Sequence, residues 1–231
     1  MTRSEAGKVL SAKRITVNGM TIVSKDHHVD PPTDRIAMDG TTIFYDEFLY
    51  IMMNKPVGVL SATKDPKHPT VIDAVKSEPW KELSIAGRLD IDSTGLIVLT
   101  NDGNFIHALT KAGKDIEKEY KVDYRGSMSG ENRLRFASGI AIQDGQGNIY
   151  QTRPCSIQTD ESVEPHRAVV CLSEGKFHQV KRMFQHFGCE VISLDRVRIG
   201  PFVLDESLER GSYRRFSIEE RTWVEKVKRV K

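Results

Sequence analysis

The stretch Phe48-Leu49-Tyr50-Ile51-Met52-Met53 constrains this chain more than any other. Consecutive apolar residues with no polar alternate suit a strand covered on both faces, inside a sheet with layers on either side. Asn54-Lys55-Pro56 reads as the stop of that strand, because proline carries no backbone donor. A second apolar run, over residues 96–100, has the same character. Doubly covered strands need a large core, and 231 residues with 39% hydrophobic and 29% charged side chains can supply one.

Upstream the texture differs. Thr2 and Glu5 have capping-box spacing, and Ala6, Val9 and Leu10 mark one apolar face, so residues 2–14 are predicted as a short helix with basic residues elsewhere on its surface. Two hairpins follow, 15–17 turning at Asn18-Gly19 into 21–23 and 36–38 turning at Asp39-Gly40 into 42–44, with Asp30-Pro31-Pro32-Thr33 as a loop between them. These pieces bury too little for an independent core. The chain therefore divides into a marginal N-terminal module, residues 1–44, and a main domain, residues 45–231. In the main domain, helices are predicted at 71–76, 105–111 and 131–137, and strands at 83–86, 96–100, 120–124, 168–172 and 190–194. Val180, Met183, Phe184 and Phe187 add an amphipathic helix that Gly188 ends, and the basic stretch after Arg221 reads as a solvated, frayed helix end. The pattern is mixed α and β.

The formal net charge of +2 excludes a strong global attraction to polyanions, so any nucleic-acid site must be a local patch. No apolar run approaches the roughly 20 residues of a membrane-spanning helix, and no apolar signal segment follows Met1, which points to a cytoplasmic protein without a membrane role. Cys155, Cys171 and Cys189 are widely spaced and form no CxxC pair, which disfavours both disulfides and zinc. His27, His28, His178 and His186 lack a third ligand nearby in sequence and read as surface or capping residues.

Chemistry concentrates in two segments. Gly87-Arg88-Leu89-Asp90-Ile91-Asp92-Ser93-Thr94-Gly95-Leu96 is a polar, glycine-bounded loop directly ahead of a buried strand, where catalytic groups are often carried. From the residues alone, Asp90 is a nucleophile, a general acid or base, or a turn acceptor, and Asp92 reads as a turn former. In Glu174-Gly175-Lys176-Phe177-His178-Gln179-Val180-Lys181-Arg182-Met183-Phe184 the chain turns through glycine into the amphipathic helix. Lys181 and Arg182 flank its buried face, where a cation can pair with a carboxylate or bind phosphate.

GRLDIDSTGL, preceded by NKPVGVLSAT and followed by EGKFHQVKRMF and LDRVRIG, resembles the RsuA family of RNA pseudouridine synthases, with the motifs in order over about residues 48–220. TRSEAGKVLSAKRITVNG resembles part of the small α-L RNA-binding module, whose usual first helix has no counterpart in these residues. The resemblance implies an α/β (α+β) catalytic domain with a mixed, largely antiparallel central sheet and the active site in its cleft. It implies that Asp90 is the nucleophile and that Arg88 enters the RNA stack and holds the target nucleotide outside it. Tyr120, in Lys118-Glu119-Tyr120, would lie against the target base, although its alternation with Val122 and Tyr124 also suits a core tyrosine. Lys181 would pair with Asp90 at a position where arginine is common, keeping the charge without the bidentate fork. Lys55, Lys176, Arg182, Arg196 and Arg198 are the expected substrate contacts, mostly to phosphate, against the plainer readings of Lys55 as strand-end punctuation and of Arg196 and Arg198 as exposed edge-strand residues.

The reaction implied is isomerisation of uridine to pseudouridine in ribosomal RNA, with small-subunit 16S RNA expected and large-subunit 23S RNA the runner-up. Breaking the glycosidic bond, turning the uracil and rejoining it through carbon five is redox-neutral, so no cofactor and no metal is expected. The expected partner is ribosomal RNA or a pre-ribosomal particle, met by a monomer. Two rival readings are a non-catalytic RNA-binding assembly factor and a glycosidase using Asp90 and Asp92 as a carboxylate pair.

Overall fold

The computed structural model describes residues 2–30, 33–43, 46–75, 82–111 and 115–229. The expectations for Pro31, Pro32, Phe44 and Lys76 fall outside them. The chain separates into two compact units, Met1–Glu47 and Phe48–Lys231.

In the first unit, α1 (Arg3–Ser11) begins with a reciprocal cap in which the Thr2 hydroxyl accepts from Glu5 N–H and the Glu5 carboxylate accepts from Thr2 N–H. It stops short of the predicted residue 14 because Lys13 takes a left-handed backbone, φ 58°. Strands β1 (Ile15–Val17), β2 (Met20–Ile22), β3 (Ile36–Met38) and β4 (Thr41–Thr42) form an antiparallel sheet in the order β2-β1-β3-β4. Asn18-Gly19 and Asp39-Gly40 have positive φ at both positions, the geometry that lets a two-residue turn follow the strand twist. Among the described residues of this unit only Val17 and Ala37 are buried, a sparse core for the predicted small module.

The second unit is built on β5 (Tyr50–Lys55) and β7 (Thr94–Thr100), paired antiparallel as interior strands of a large sheet. Their residues alternate between two cores. Tyr50, Met52, Leu96 and Val98 pack with α2 (Gly103–Thr110) and α5 (Ile218–Arg229), whereas Ile51, Met53, Ile97 and Leu99 pack with Val71, Ile72 and Leu83. This two-sided burial is why neither run shows a polar alternate. The apolar run begins as predicted, but Asn54 and Lys55 continue the strand instead of ending it, and both are buried.

Strand β6 (Ser84–Ala86) pairs with β7, and β8 (Lys118–Arg125), β11 (Ser156–Asp160), β12 (His166–Leu172), β13 (Glu190–Ile199) and β15 (Tyr213–Arg215) complete the order β11-β12-β8-β13-β7-β5-β15. Short β14 (Phe202–Val203) folds back on β13, and β9 (Ala141–Gln143) pairs with β10 (Ile149–Gln151) apart from the main sheet. Only β13 and β7 run parallel, so the sheet is mixed and largely antiparallel among the described residues. Tyr120, Val122 and Tyr124 of β8 face a third core with Phe136 of α3 (Gly130–Ser138) and Val180, Met183 and Phe184 of α4 (Gln179–His186).

Other expectations change. The helix predicted at 71–76 is a single 3-10 turn, Asp73–Val75, among the described residues. The C-terminal helix is docked rather than frayed, with Val224 and Val227 buried. Its Lys228 ammonium donates to Asp102 at 3.1 Å, and the same carboxylate caps α2 and accepts from the Tyr50 hydroxyl at 2.7 Å. Burial pushes the Asp102 carboxyl up, but these three donors outweigh it and hold the group below the usual carboxylate range.

Candidate active site

The loop between β6 and β7 carries Arg88, Asp90 and Asp92, and its backbone is fastened nearly residue by residue. Arg196 on β13 donates from Nη1 to the Arg88 carbonyl at 3.2 Å and from Nε to the Leu96 carbonyl at 2.9 Å. Ser61 Oγ accepts from Leu89 N–H at 3.0 Å and donates to Leu89 O at 2.7 Å. Gly58 N–H donates to Ile91 O at 2.8 Å, and the Lys55 ammonium donates to Ser93 O at 2.8 Å and Pro56 O at 3.0 Å. The buried Leu89 side chain anchors the loop in the core below α3 and α4. At the loop's end, Gly95 has φ +103°, and a Cβ there would stand 2.3 Å from the Arg196 carbonyl oxygen, so only glycine lets β7 pass β13.

With the backbone held, the side chains of Arg88 and Asp90 are left free to face outward. Arg88 is exposed, and the Asp90 carboxylate, 27% exposed, lies between two groups of α4 and its preceding turn. Lys181 Nζ stands 3.6 Å from Oδ2, and His178 Nε2 stands 3.5 Å from Oδ1. Lys181 also makes a closer ion pair with Asp92. Asp92 is therefore the partner of a cation as well as part of the turn its position suggests, which Ser93 N–H closes on the Asp90 carbonyl at 3.1 Å. Burial pushes the Asp92 carboxyl up, but the hydrogen bond and charge of Lys181 prevail and hold it below the usual range.

A cleft of about 450 Å³ opens at this carboxylate, lined by Asp90, Arg88, Tyr120, Lys118, Lys176 and His178 among others. It brings together Asp90, Tyr120, Arg88, Lys176 and Arg196 from the expected set, with Lys181 beside the nucleophile. Tyr120 is only 8% exposed, so the core-tyrosine and cleft-wall readings both describe it. Lys118 donates to the Ile116 carbonyl at 2.9 Å, and burial, with Arg196 nearby, pushes its ammonium pKa down.

Three expected substrate contacts, Lys55, Arg196 and Arg198, are engaged within the protein. Lys55 is fully buried with its ammonium bound to loop carbonyls, and burial pushes it to about 8 against the pull of Asp92 and Asp90. Arg196 is 2% exposed on an interior strand and lines the cleft; its Nε and Nη1 hold the loop, while its Nη2 has no hydrogen-bond partner among the described residues. Arg198 is neither free nor at an exposed edge, because it pairs with Glu119 at 3.2 Å and Glu117 at 3.3 Å. Arg182 keeps a place at the rim, donating to the Gln143 carbonyl with its guanidinium 5.1 Å from the Phe177 ring centre. Lys176 is exposed, 5.7 Å from the Tyr150 ring centre.

His178 and Ser61 escaped the sequence reading of the site. His178 stands directly before α4 with a left-handed backbone, φ 50°, and makes no side-chain cap hydrogen bond. That conformation, invisible in the sequence, accompanies its approach to Asp90. Ser61 lies within NKPVGVLSAT, but its bonds to Leu89 cross 28 positions of chain. Among the described residues no group of three or more His, Cys, Asp or Glu is arranged to hold a metal ion, and no helix is long and apolar enough to cross a membrane.

A carboxylate held at the mouth of a cleft by a fixed loop, with a lysine, a histidine and a tyrosine around it, defines a site for nucleophilic or acid–base work on a bound ring. The family model for RNA pseudouridylate synthase matches residues 49–186, and the chain belongs to that family of RNA-modifying isomerases. The chain is 36% identical over 223 residues to ribosomal small subunit pseudouridine synthase A of Escherichia coli K12, covering 95% of this chain and 93% of the relative. It is also 36% identical over 221 residues to the uncharacterized RNA pseudouridine synthase YtzG of Bacillus subtilis, covering 95% and 91%. A crystal structure of a pseudouridylate synthase superposes with a TM-score of 0.69 at 32% identity, covering 98% of this chain and 94% of that one.

Proposed function

We propose that this protein converts a uridine of small-subunit 16S ribosomal RNA to pseudouridine, with Asp90 as the nucleophile. The observation that carries the proposal is the Asp90 carboxylate, fixed by its loop and flanked by Lys181 and His178 at the mouth of the cleft it shares with Tyr120. The relatives named for the small subunit match nearly the whole chain, which supports the choice of RNA.

In the reaction the bond from ring nitrogen one to the anomeric carbon breaks, the uracil turns within the cleft, and ring carbon five joins the anomeric carbon. The proton on carbon five leaves and nitrogen one gains one, so atoms and electrons balance without a redox partner. Asp90 attacks the anomeric carbon, attacks the ring, or assists a glycal intermediate; each route begins from the ionised carboxylate. Lys181 Nζ, 3.6 Å from Oδ2, is the ion-pair partner beside it. Tyr120 lies against the base and takes part in moving the carbon-five proton. Arg88, exposed on the same loop, enters the RNA stack, and extrusion of the target nucleotide costs a few kcal/mol. Lys176 and Arg182 offset that cost through phosphate.

The first unit acts as a partial α-L RNA-binding module whose α1 presents Arg3 and Lys8, while Arg14 is engaged by Asp39. The substrate is ribosomal RNA, naked or in a pre-ribosomal particle, and a monomer handles it in the cytoplasm. Carbodiimide and primer-extension mapping of unmodified ribosomal RNA after incubation with the protein tests the assignment. One new stop in small-subunit RNA is expected. A stop confined to large-subunit RNA would replace the substrate, and no stop in RNA or assembly intermediates would remove the activity.

A further inference from the structure

Phe177 and His178 form a stacked pair at the lip of the cleft, with ring centres 3.8 Å apart and planes 19° from parallel. Phe177 is 57% exposed, although a phenyl ring ordinarily gains from burial. The ring is nonetheless held in place. The β9–β10 turn passes so close that a Cβ on Gly145 would stand 2.9 Å from Phe177 Cδ1, and the Arg182 guanidinium lies 5.1 Å from the ring centre. His178 joins the pair in a left-handed backbone that serves no side-chain cap, and its Nε2 reaches to 3.5 Å from Asp90. A non-glycine residue at such a φ is a conformational cost that marks functional segments.

Resting on the RNA-isomerase reading, we propose that the Phe177–His178 pair is a stacking platform for the unpaired nucleobase next to the target uridine. Three features select a nucleobase as the occupant. Phe177 is 57% exposed with the imidazole stacked against one side of it, and an aromatic ring takes any base through a π-face. Arg182, and Lys176 beside Phe177 in the chain, supply positive charge for the adjoining phosphates. The imidazole edge touches the nucleophile, so the nucleotide that stacks here is a neighbour of the one that reacts. Successive bases along a strand are spaced by about 3.4 Å, close to the ring separation within the pair. The platform thus holds the strand open after the target has left it.

The test uses full-length protein and a synthetic RNA centred on the mapped uridine, in three forms: intact, abasic at the 5′ neighbour and abasic at the 3′ neighbour. Affinity is measured for wild type, Phe177→Ala and Phe177→Tyr, and pseudouridine is scored in the same samples. Phe177→Ala is expected to weaken binding of intact RNA by about fivefold to a hundredfold, the range for losing one base–aromatic stack. Phe177→Tyr, which keeps the ring, is expected to restore it. One abasic RNA should bind wild type as weakly as Phe177→Ala binds intact RNA, and combining the two changes should cost nothing further. Fully additive losses at both neighbours, or an unchanged affinity for Phe177→Ala, would overturn the platform. Absence of pseudouridine with wild type would instead overturn the synthase reading, while the affinity ratios still decide whether the ring stacks on a base.

Discussion

Two sets of basic side chains surround the loop that carries Asp90, and burial separates what they do. Lys55 and Arg196 are buried and donate to the carbonyls of Pro56, Arg88, Ser93 and Leu96, with only Arg196 Nη2 of their side-chain nitrogens left without a partner among the described residues. Lys181 and His178 remain partly exposed and meet the carboxylates of Asp90 and Asp92. A cation without water must find acceptors inside the protein, and backbone carbonyls without donors of their own are the acceptors a loop provides. The first set therefore shapes the site, and the second meets its carboxylates.

Arg196→Met should break the first set most severely. It leaves the Arg88 and Leu96 carbonyls without their charged donor, at a cost of about 3 kcal/mol of unfolding free energy. The displaced loop should also lower turnover by at least about a hundredfold. Chemical denaturation and single-turnover assays read the two effects, and a stable, fully active variant would dissolve the distinction between the sets. Lys181→Met should do the reverse. Turnover falls by about a hundredfold while stability changes by less than about 1 kcal/mol, and Lys181→Arg retains most activity.

Lys55 sharpens the comparison through pH. Burial lowers its pKa from 10.5 in the unfolded chain to about 8 in the folded one. Between those values the unfolded chain holds one proton more, so the site's contribution to stability rises with pH, by up to about 3 kcal/mol across the window. Below pH 8 the buried charge is a constant cost. Denaturation curves for wild type and Lys55→Met should therefore diverge in favour of wild type from pH 8 to 10.5; parallel curves would show that the ammonium is not desolvated. The smallest effect belongs to the rim. Lys176→Ala should weaken RNA binding modestly and reduce the slope of log affinity against log salt by about one, whereas an unchanged slope would take Lys176 off the phosphates.

The same contrast explains what could be read from the sequence. Strands β5 and β7 and helix α4 were legible because their burial is written as periodicity, continuous in the strands and helical in α4. The loop's place ahead of β7, and the resemblance carried by its motif, brought out Asp90, Arg88 and Lys181. The strands β9, β10, β11, β14 and β15 went unread because they are two to five residues long, too short for an alternating pattern to stand out. The interior hydrogen bonds of Lys55 and Arg196 were hidden for one physical reason. A lysine or arginine looks the same in sequence whether its head meets phosphate or a carbonyl, and only tertiary burial decides. His178 was hidden by a single backbone angle.

The central claim is that the framed carboxylate of Asp90 carries the reaction. Asp90→Asn keeps the size of the side chain and removes its charge, so the most direct measurement is single-turnover conversion of uridine by this variant, with RNA affinity and unfolding midpoint recorded alongside. The account predicts no pseudouridine, with binding and stability close to wild type. Conversion at the wild-type rate by a folded, RNA-binding Asp90→Asn protein would contradict it.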